Sequence, residues 1–134
     1  IFHQAAISDT RVLDEEIIMK TNVNSFYDIL DIAKENSSIM VYASSAATYG
    51  LGELGYHDDE SVIPQLKPLN PYGDSKNDFD IWALAQAKKP FFFAGLKFFN
   101  VYGPNEFHKG RMASVIWIVY RKIQSNGSLK LLIK

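Results

Sequence analysis

Tyr72 and Lys76 stand four residues apart, as Tyr-x-x-x-Lys. On a helix this spacing puts both side chains on one face, one turn apart. An ammonium beside a phenol favours phenolate and draws the tyrosine towards the working pH range. A tyrosine so tuned exchanges a proton with a substrate hydroxyl. Read alone, the pair is better taken as a solvated helix start with a surface lysine, since so short a spacing recurs by chance. Two neighbouring features weigh towards chemistry. Ser44-Ser45 follows the apolar run Ile39-Met40-Val41-Tyr42-Ala43, and Pro71 occupies a helix-start position just before Tyr72. A serine, a tyrosine and a lysine thereby converge at one sheet edge, although Ser45 without Tyr72 reads as a turn or cap serine.

The elements that must position these groups follow from periodicity. Residues 1–6 read as the end of a buried strand. Residues 14–35 read as a helix, with Val23, Phe26, Ile29, Leu30 and Ala33 at helical spacing. Residues 39–43 read as a central parallel strand, 44–70 as loop, 72–88 as a second helix with Phe79, Trp82 and Leu84-Ala85 inward, and 91–99 as a buried strand. After a Gly/Pro loop over 100–111, Met112, Val115, Ile116, Val119, Tyr120 and Ile123 mark an amphipathic helix, and 129–133 is a candidate strand. The alternation predicts an α/β fold with a parallel sheet and crossover helices. Ligands of such sheets bind beyond the carboxyl ends of the strands, which predicts chemistry at residues 3–8, 43–50 and 99–111.

Composition narrows the classes. Hydrophobic residues make up 47% and charged residues 22% of the 134, with a net charge of −1 and no cysteine. Such a chain is globular, without the basic excess of a nucleic-acid binder, a disulfide framework or a thiolate metal site. The opening Ile1-Phe2-His3-Gln4 carries no signal-peptide pattern, and no run reaches membrane-span length. A cytoplasmic location and no membrane partner are expected. His57 beside Asp58-Asp59-Glu60 lacks a second histidine at ligand spacing, so the run reads as solvated and no metal is expected. His3 reads as structural and Phe91-Phe92-Phe93 as core strand.

Three segments together carry a resemblance. Tyr42-Ala-Ser-Ser-Ala-Ala-Thr-Tyr-Gly50, Asn70-Pro-Tyr-Gly-Asp-Ser-Lys76 and Phe99-Asn-Val-Tyr-Gly-Pro104 resemble the extended short-chain dehydrogenase/reductase family, in the family's order and at crossover spacing. The segment His108-Lys-Gly-Arg-Met-Ala-Ser114, with Ser44 to Gly50, is similar to the branch that epimerises ADP-heptose. Thr48 is followed by Tyr49-Gly50 rather than by the acidic residues of the dehydratases. UDP-hexose 4-epimerases lack the segment at 108–114. The resemblance implies a Rossmann-like doubly wound parallel sheet, here in part, without the N-terminal glycine-rich half and most of the C-terminal substrate region. Residues 1–134 then form the central part of one NAD(P)-binding domain, with the substrate region starting near 103–134.

Position by position, the resemblance implies Tyr72 as catalytic acid/base, Lys109 as second acid/base, and Ser45 as hydrogen-bond partner of the reacting oxygen. Lys76 holds the nicotinamide ribose and tunes Tyr72. Gln4, Ala5, Ala6, Ile7 and Ser8 line the cofactor through their backbone, with Asn22 and Val101 as further cofactor contacts. Asn100 and Arg111 touch the substrate, Arg111 standing where the pattern has a small serine. The implied cofactor is NADP, with NAD as the alternative, and the implied partners are a nucleotide-sugar, ADP-heptose, and further copies in a homo-oligomer. Two bases suit the task, because inverting an unactivated carbinol removes a proton in one orientation and returns it in another. Lys109 read alone is a solvated loop lysine. The expected role is the supply of a lipopolysaccharide core precursor, with little or no turnover by this polypeptide alone. The alternatives are another nucleotide-sugar epimerase or reductase, such as a UDP-hexose 4-epimerase, and a non-catalytic remnant.

Overall fold

The computed structural model describes residues 1–128, in two compact units, Ile1–Phe99 and a second unit beginning at Asn100. In the first unit, β1 (Phe2–His3), β2 (Ile39–Ser45) and β3 (Phe92–Phe98) form a parallel sheet in the order β1-β2-β3. The register pairs His3 with Tyr42, and runs from Ile39↔Phe92 to Ser45↔Phe98. The expected helix over 14–35 is one helical path in three pieces: α1 (Glu15–Met19), a π turn (Lys20–Asn24) and α2 (Ser25–Glu35). Asp14 caps its start by accepting from the Ile17 amide at 3.0 Å.

The second crossover holds α3 (Pro71–Leu84). It stops four residues short of the expected end, because the chain must turn before Pro90, and the residue before a proline disfavours the helical region. The expected loop 44–70 contains two 3-10 turns, Ala46–Tyr49 and Glu60–Gln65. The first is capped by Ser45 and the second by Asp59, whose side chain accepts from the Ser61 amide at 2.8 Å. The acidic run at 58–60 is exposed.

Phe26, Leu30 and Ala33 of α2, Met40 and Tyr42 of β2, and Phe79 and Ala83 of α3 form one core cluster. Met40 and Tyr42 share a face of β2 by strand alternation, so both helices cover that one face. Successive right-handed crossovers in one direction along a sheet give this arrangement. The opposite face carries exposed Ile39, Phe92, Leu96 and Phe98. Here β3 departs from the buried strand expected of 91–99. It is the outer strand among the described residues, and of the Phe triplet only Phe93 packs on the core, stacking on Tyr42 at 5.1 Å between centroids.

In the second unit, a 3-10 segment (Glu106–Met112) leads into α4 (Val115–Asn126). α4 starts three residues later than Met112, because the Ser114 hydroxyl caps it by accepting from the Trp117 amide at 3.1 Å. Gly127, in the left-handed region at φ 68°, ends it. The candidate strand 129–133 lies outside the described residues. Among those described, no helix is long and apolar enough to cross a membrane.

Gly95 is required where the Tyr42 ring crosses β3, since a Cβ there would fall on the ring and hydroxyl. Gly95→Ala is expected to lower stability by about 1–3 kcal/mol, the usual cost of overpacking, read by urea denaturation.

Candidate active site

The first turn of α3 carries the Tyr-x-x-x-Lys pair. Asn70 caps the helix by accepting from the Gly73 amide at 2.9 Å, and Pro71 follows in the first turn. Gly73 lets this turn lie close on the 3-10 turn that follows β2, since a Cβ there would stand 3.0 Å from the Ala47 carbonyl oxygen and 2.8 Å from Pro68 Cβ. Lys76 then reaches the strand itself. Pairing with β1 ends at His3↔Tyr42, and the next carbonyl along β2, Ala43, accepts from Lys76 Nζ at 2.7 Å. Lys76 Nζ lies 6.0 Å from the centre of the Tyr72 ring and 5.0 Å from that of Phe26. Burial lowers the Lys76 ammonium to about 8, against an opposing pull from Asp80. Ser45, at the end of β2, is buried, and its Oγ accepts from the Ala47 amide at 3.1 Å. Ser45, Tyr72 and Lys76 thus gather at the carboxyl edge of the sheet.

The segment after β1 is held from the side. Asn22, fully buried in the π turn, accepts from the Ile7 amide at 2.8 Å. Its Nδ2 donates to the Ile7 carbonyl at 3.0 Å and to Ser75 Oγ at 3.2 Å. Asn22 therefore fixes the Gln4–Ser8 loop against α3. Ile7 has both main-chain polar groups engaged, while Ala5 is exposed and Ala6 and Ile7 are half-buried. His3 is buried at the start of this loop with its ring 3.9 Å from that of Phe26, and burial, then Lys76, hold its pKa below the ordinary histidine value.

Asp80 has no counterpart in the sequence reading. It lies one turn beyond Lys76 and is buried, with donors from both strands. Tyr42 OH, Ser44 Oγ and Lys97 Nζ each donate to its carboxylate at 2.6 Å. Lys97 also donates to Thr48 Oγ1 at 2.9 Å, and Thr48 donates to the Ser45 carbonyl at 2.8 Å. Burial first, then Asp80, push the Tyr42 phenol well above the ordinary tyrosine range, so it stays a donor. Tyr72, Lys76 and Asp80 repeat at intervals of four, and that stripe is the signal the apolar periodicity obscured. Lys97 in an otherwise apolar strand is its complement.

Asn100, Val101, Lys109 and Arg111 belong to the second unit. Asn100, Val101 and Arg111 are exposed. Lys109 Nζ stands 3.7 Å from Glu106 Oε2. Glu106 is buried and accepts from the Ser114 amide at 2.7 Å, the Ser114 hydroxyl at 2.9 Å and the Gly103 amide at 2.9 Å. These bonds, the Ser114 amide foremost, hold its carboxyl at about 2. Glu106 thereby ties the loop bearing Lys109 and Arg111 to the start of α4.

Comparison with known proteins follows the same outline. Residues 1–133 match the model of the NAD dependent epimerase/dehydratase family. An ADP-L-glycero-D-manno-heptose-6-epimerase from Fusobacterium nucleatum is 47% identical over 133 residues, 98% of this chain and 40% of that protein. Its namesake from Nitratidesulfovibrio vulgaris is 44% identical over 131 residues, 98% of this chain and 40% of that protein. The solved ADP-L-glycero-D-manno-heptose-6-epimerase of Helicobacter pylori is similar with a TM-score of 0.82 at 36% identity, over 96% of this chain and 40% of that one. The chain thus spans about 40% of the length of the curated relatives it matches.

Asn22→Ala removes three hydrogen bonds from a buried place. Amide exchange at Ile7 should accelerate, with about 1–3 kcal/mol of stability lost by denaturant unfolding.

Proposed function

Because the chain belongs to the NAD dependent epimerase/dehydratase family, we propose that it is the central part of an ADP-L-glycero-D-manno-heptose 6-epimerase. Residues 1–134 contribute the middle of one NAD(P)-binding domain and, from near 103, the start of the substrate region. The observation that carries this reading is the buried Lys76 at the carboxyl edge of β2, one turn from Tyr72 and two residues' reach from Ser45. The 47% identity to a protein of that name supports the choice of sugar. NADP is the proposed cofactor, the cytoplasm the proposed location and a homo-oligomer the proposed assembly. The product serves as a lipopolysaccharide core precursor.

The donor set suits the nicotinamide end of such a cofactor. Lys76 presents an ammonium and Ser45 and Tyr72 present hydroxyls, beside the small residues Ala5 and Ala6 of a loop that Asn22 keeps in place. Lys76 holds the ribose hydroxyls, the Gln4–Ser8 loop and Asn22 shape the wall, and Val101 adds an apolar contact. When bound there, the nicotinamide would supply the acceptor, and then the donor, of the carbinol hydride. Tyr72 takes the hydroxyl proton as the carbon is oxidised to a ketone, and Ser45 donates a hydrogen bond to the reacting oxygen. The resemblance gives Lys109 the return of the proton for the other configuration, and Asn100 and Arg111 the contacts to the sugar nucleotide. The oxidation and reduction cancel, leaving inversion alone.

Calorimetric titration of the folded chain with NADP⁺ is expected to saturate, while the chain by itself turns over ADP-heptose weakly or not at all. A folded chain with no saturable binding contradicts the cofactor half of the reading. Within a longer protein containing this chain, Tyr72→Phe is expected to cut turnover about 10²–10⁴-fold with cofactor affinity unchanged. Unchanged turnover removes Tyr72 from its role. The sign of the pH dependence comes from Lys76. Its ammonium is present below about 8 and lost above it, so NADP⁺ affinity should fall as pH rises from 7 to 9. Lys76→Met should flatten that profile.

A further inference from the structure

Asp80 is a buried charge that the proposed reaction does not use, and three donors meet its carboxylate. Its carboxylate meets Tyr42 and Ser44, two residues on the same face of β2. Lys76, one turn earlier on α3, meets the carbonyl of Ala43 between them. Two residues of one helix face thus grip three consecutive residues of β2, on the strand that ends in Ser45. The second oxygen also takes Lys97 from β3, and Lys97 passes the connection through Thr48 to the Ser45 carbonyl.

We propose that Asp80 is a positioning residue of the site, a single carboxylate that serves two lysines. It pairs directly with Lys97, and it stands as countercharge to Lys76 while locking the register of α3 on β2. The proposal rests on the reading of Tyr72, Lys76 and Ser45 as the reacting set. Through it, the ammonium of Lys76 stays charged in a place where burial favours loss of its proton. The groups around Lys76 leave Asp80 as the source of that support. On α3 they are Tyr72 and Asp80; from β1 comes His3, which is held below its ordinary value and adds no negative charge. From β2 comes the Ala43 carbonyl and from α2 the Phe26 ring, neither of them charged, while Lys97 of β3, a like charge, meets Asp80.

The test follows Lys76 directly, in the chain carrying ¹³C at the lysine Cε positions, with the Lys76 signal assigned by Lys76→Arg. Its titration midpoint is measured by NMR in the parent, in Asp80→Asn, and in the Asp80→Asn/Lys97→Met double variant. The double variant removes both members of the Lys97–Asp80 ion pair, so Lys97 is not left as a partly buried ammonium without its partner. The expected result in Asp80→Asn is a midpoint about 1 unit below the parent's, since the supporting charge is gone while burial remains, and a smaller fall in the double variant, where a positive charge leaves with the carboxylate. A merely structural role predicts the opposite sign: a loosened α3 hydrates Lys76 and moves the midpoint up towards the ordinary lysine value. A rise, or no change, overturns the proposal. This readout needs no cofactor and no turnover, so a failure of NADP⁺ to bind leaves it standing, and its failure leaves the cofactor titration unaffected.

Discussion

The Asp80 carboxylate is taken out of water between α3 and two strands, and a charge so placed must be met on every side. Tyr42, Ser44 and Lys97 meet it, each at 2.6 Å. Much of the first unit follows from satisfying that group. Tyr42 must lie across β3 for its hydroxyl to arrive, which leaves room only for glycine at 95. Ser44 must face the helix, so the next strand residue, Ser45, turns into the 3-10 segment it caps. Lys97 must face inward from β3, which sets the alternation that turns Phe92, Leu96 and Phe98 to the other face.

The same requirement explains why α3 has so polar a buried face. Gly73, Ser75, Lys76, Asn77 and Asp80 are buried on it with only Phe79 and Ala83 as apolar companions. A helix normally docks by an apolar stripe. Here docking depends on hydrogen bonds of fixed direction, from Lys76 to the Ala43 carbonyl and from β2 donors to Asp80. Directional bonds fix rotation and register of a helix more tightly than apolar contact does. A helix that presents a tyrosine and a lysine to a ligand benefits from that constraint. The π turn at Lys20–Asn24 plays a related part, because it brings Asn22 inward to hold Ile7 while α1 and α2 continue on either side.

Legibility of the site in the sequence varied with the kind of residue. Tyr72, Lys76 and Ser45 were legible because their spacing and their place after a strand have chemical meaning without any partner. The central strand and the helices were legible from apolar periodicity, and Phe26, Leu30, Ala33, Met40 and Phe79 lie in the core, whereas 1–6 and 91–99, read as buried strands, carry exposed Phe2, Phe92 and Phe98. Asp80 and Lys97 were not legible. A lone aspartate on a helix and a lone lysine in a strand each read as solvated, and only their meeting across 17 residues of chain makes them an ion pair. Asn22 was expected at the cofactor, and its bonds to Ile7 and Ser75 were not legible, because they depend on where a distant loop passes.

What the sequence by itself determined is local: a strand–helix alternation set by apolar period, helix starts set by Asp14, Asn70 and Ser114, and a Tyr-x-x-x-Lys pair placed on one helix face by the geometry of 3.6 residues per turn. What only the tertiary structure decided is which polar groups answer one another. Covering a single face of the sheet with both α2 and α3 left Phe92 and its neighbours exposed on the other. Packing α3 at this register put Asp80 between two strands and Lys76 on a carbonyl that β1 no longer pairs. The reason is physical: periodicity reports which side of an element is apolar, whereas a buried charge is settled only by the directions and distances of partners far away in the chain.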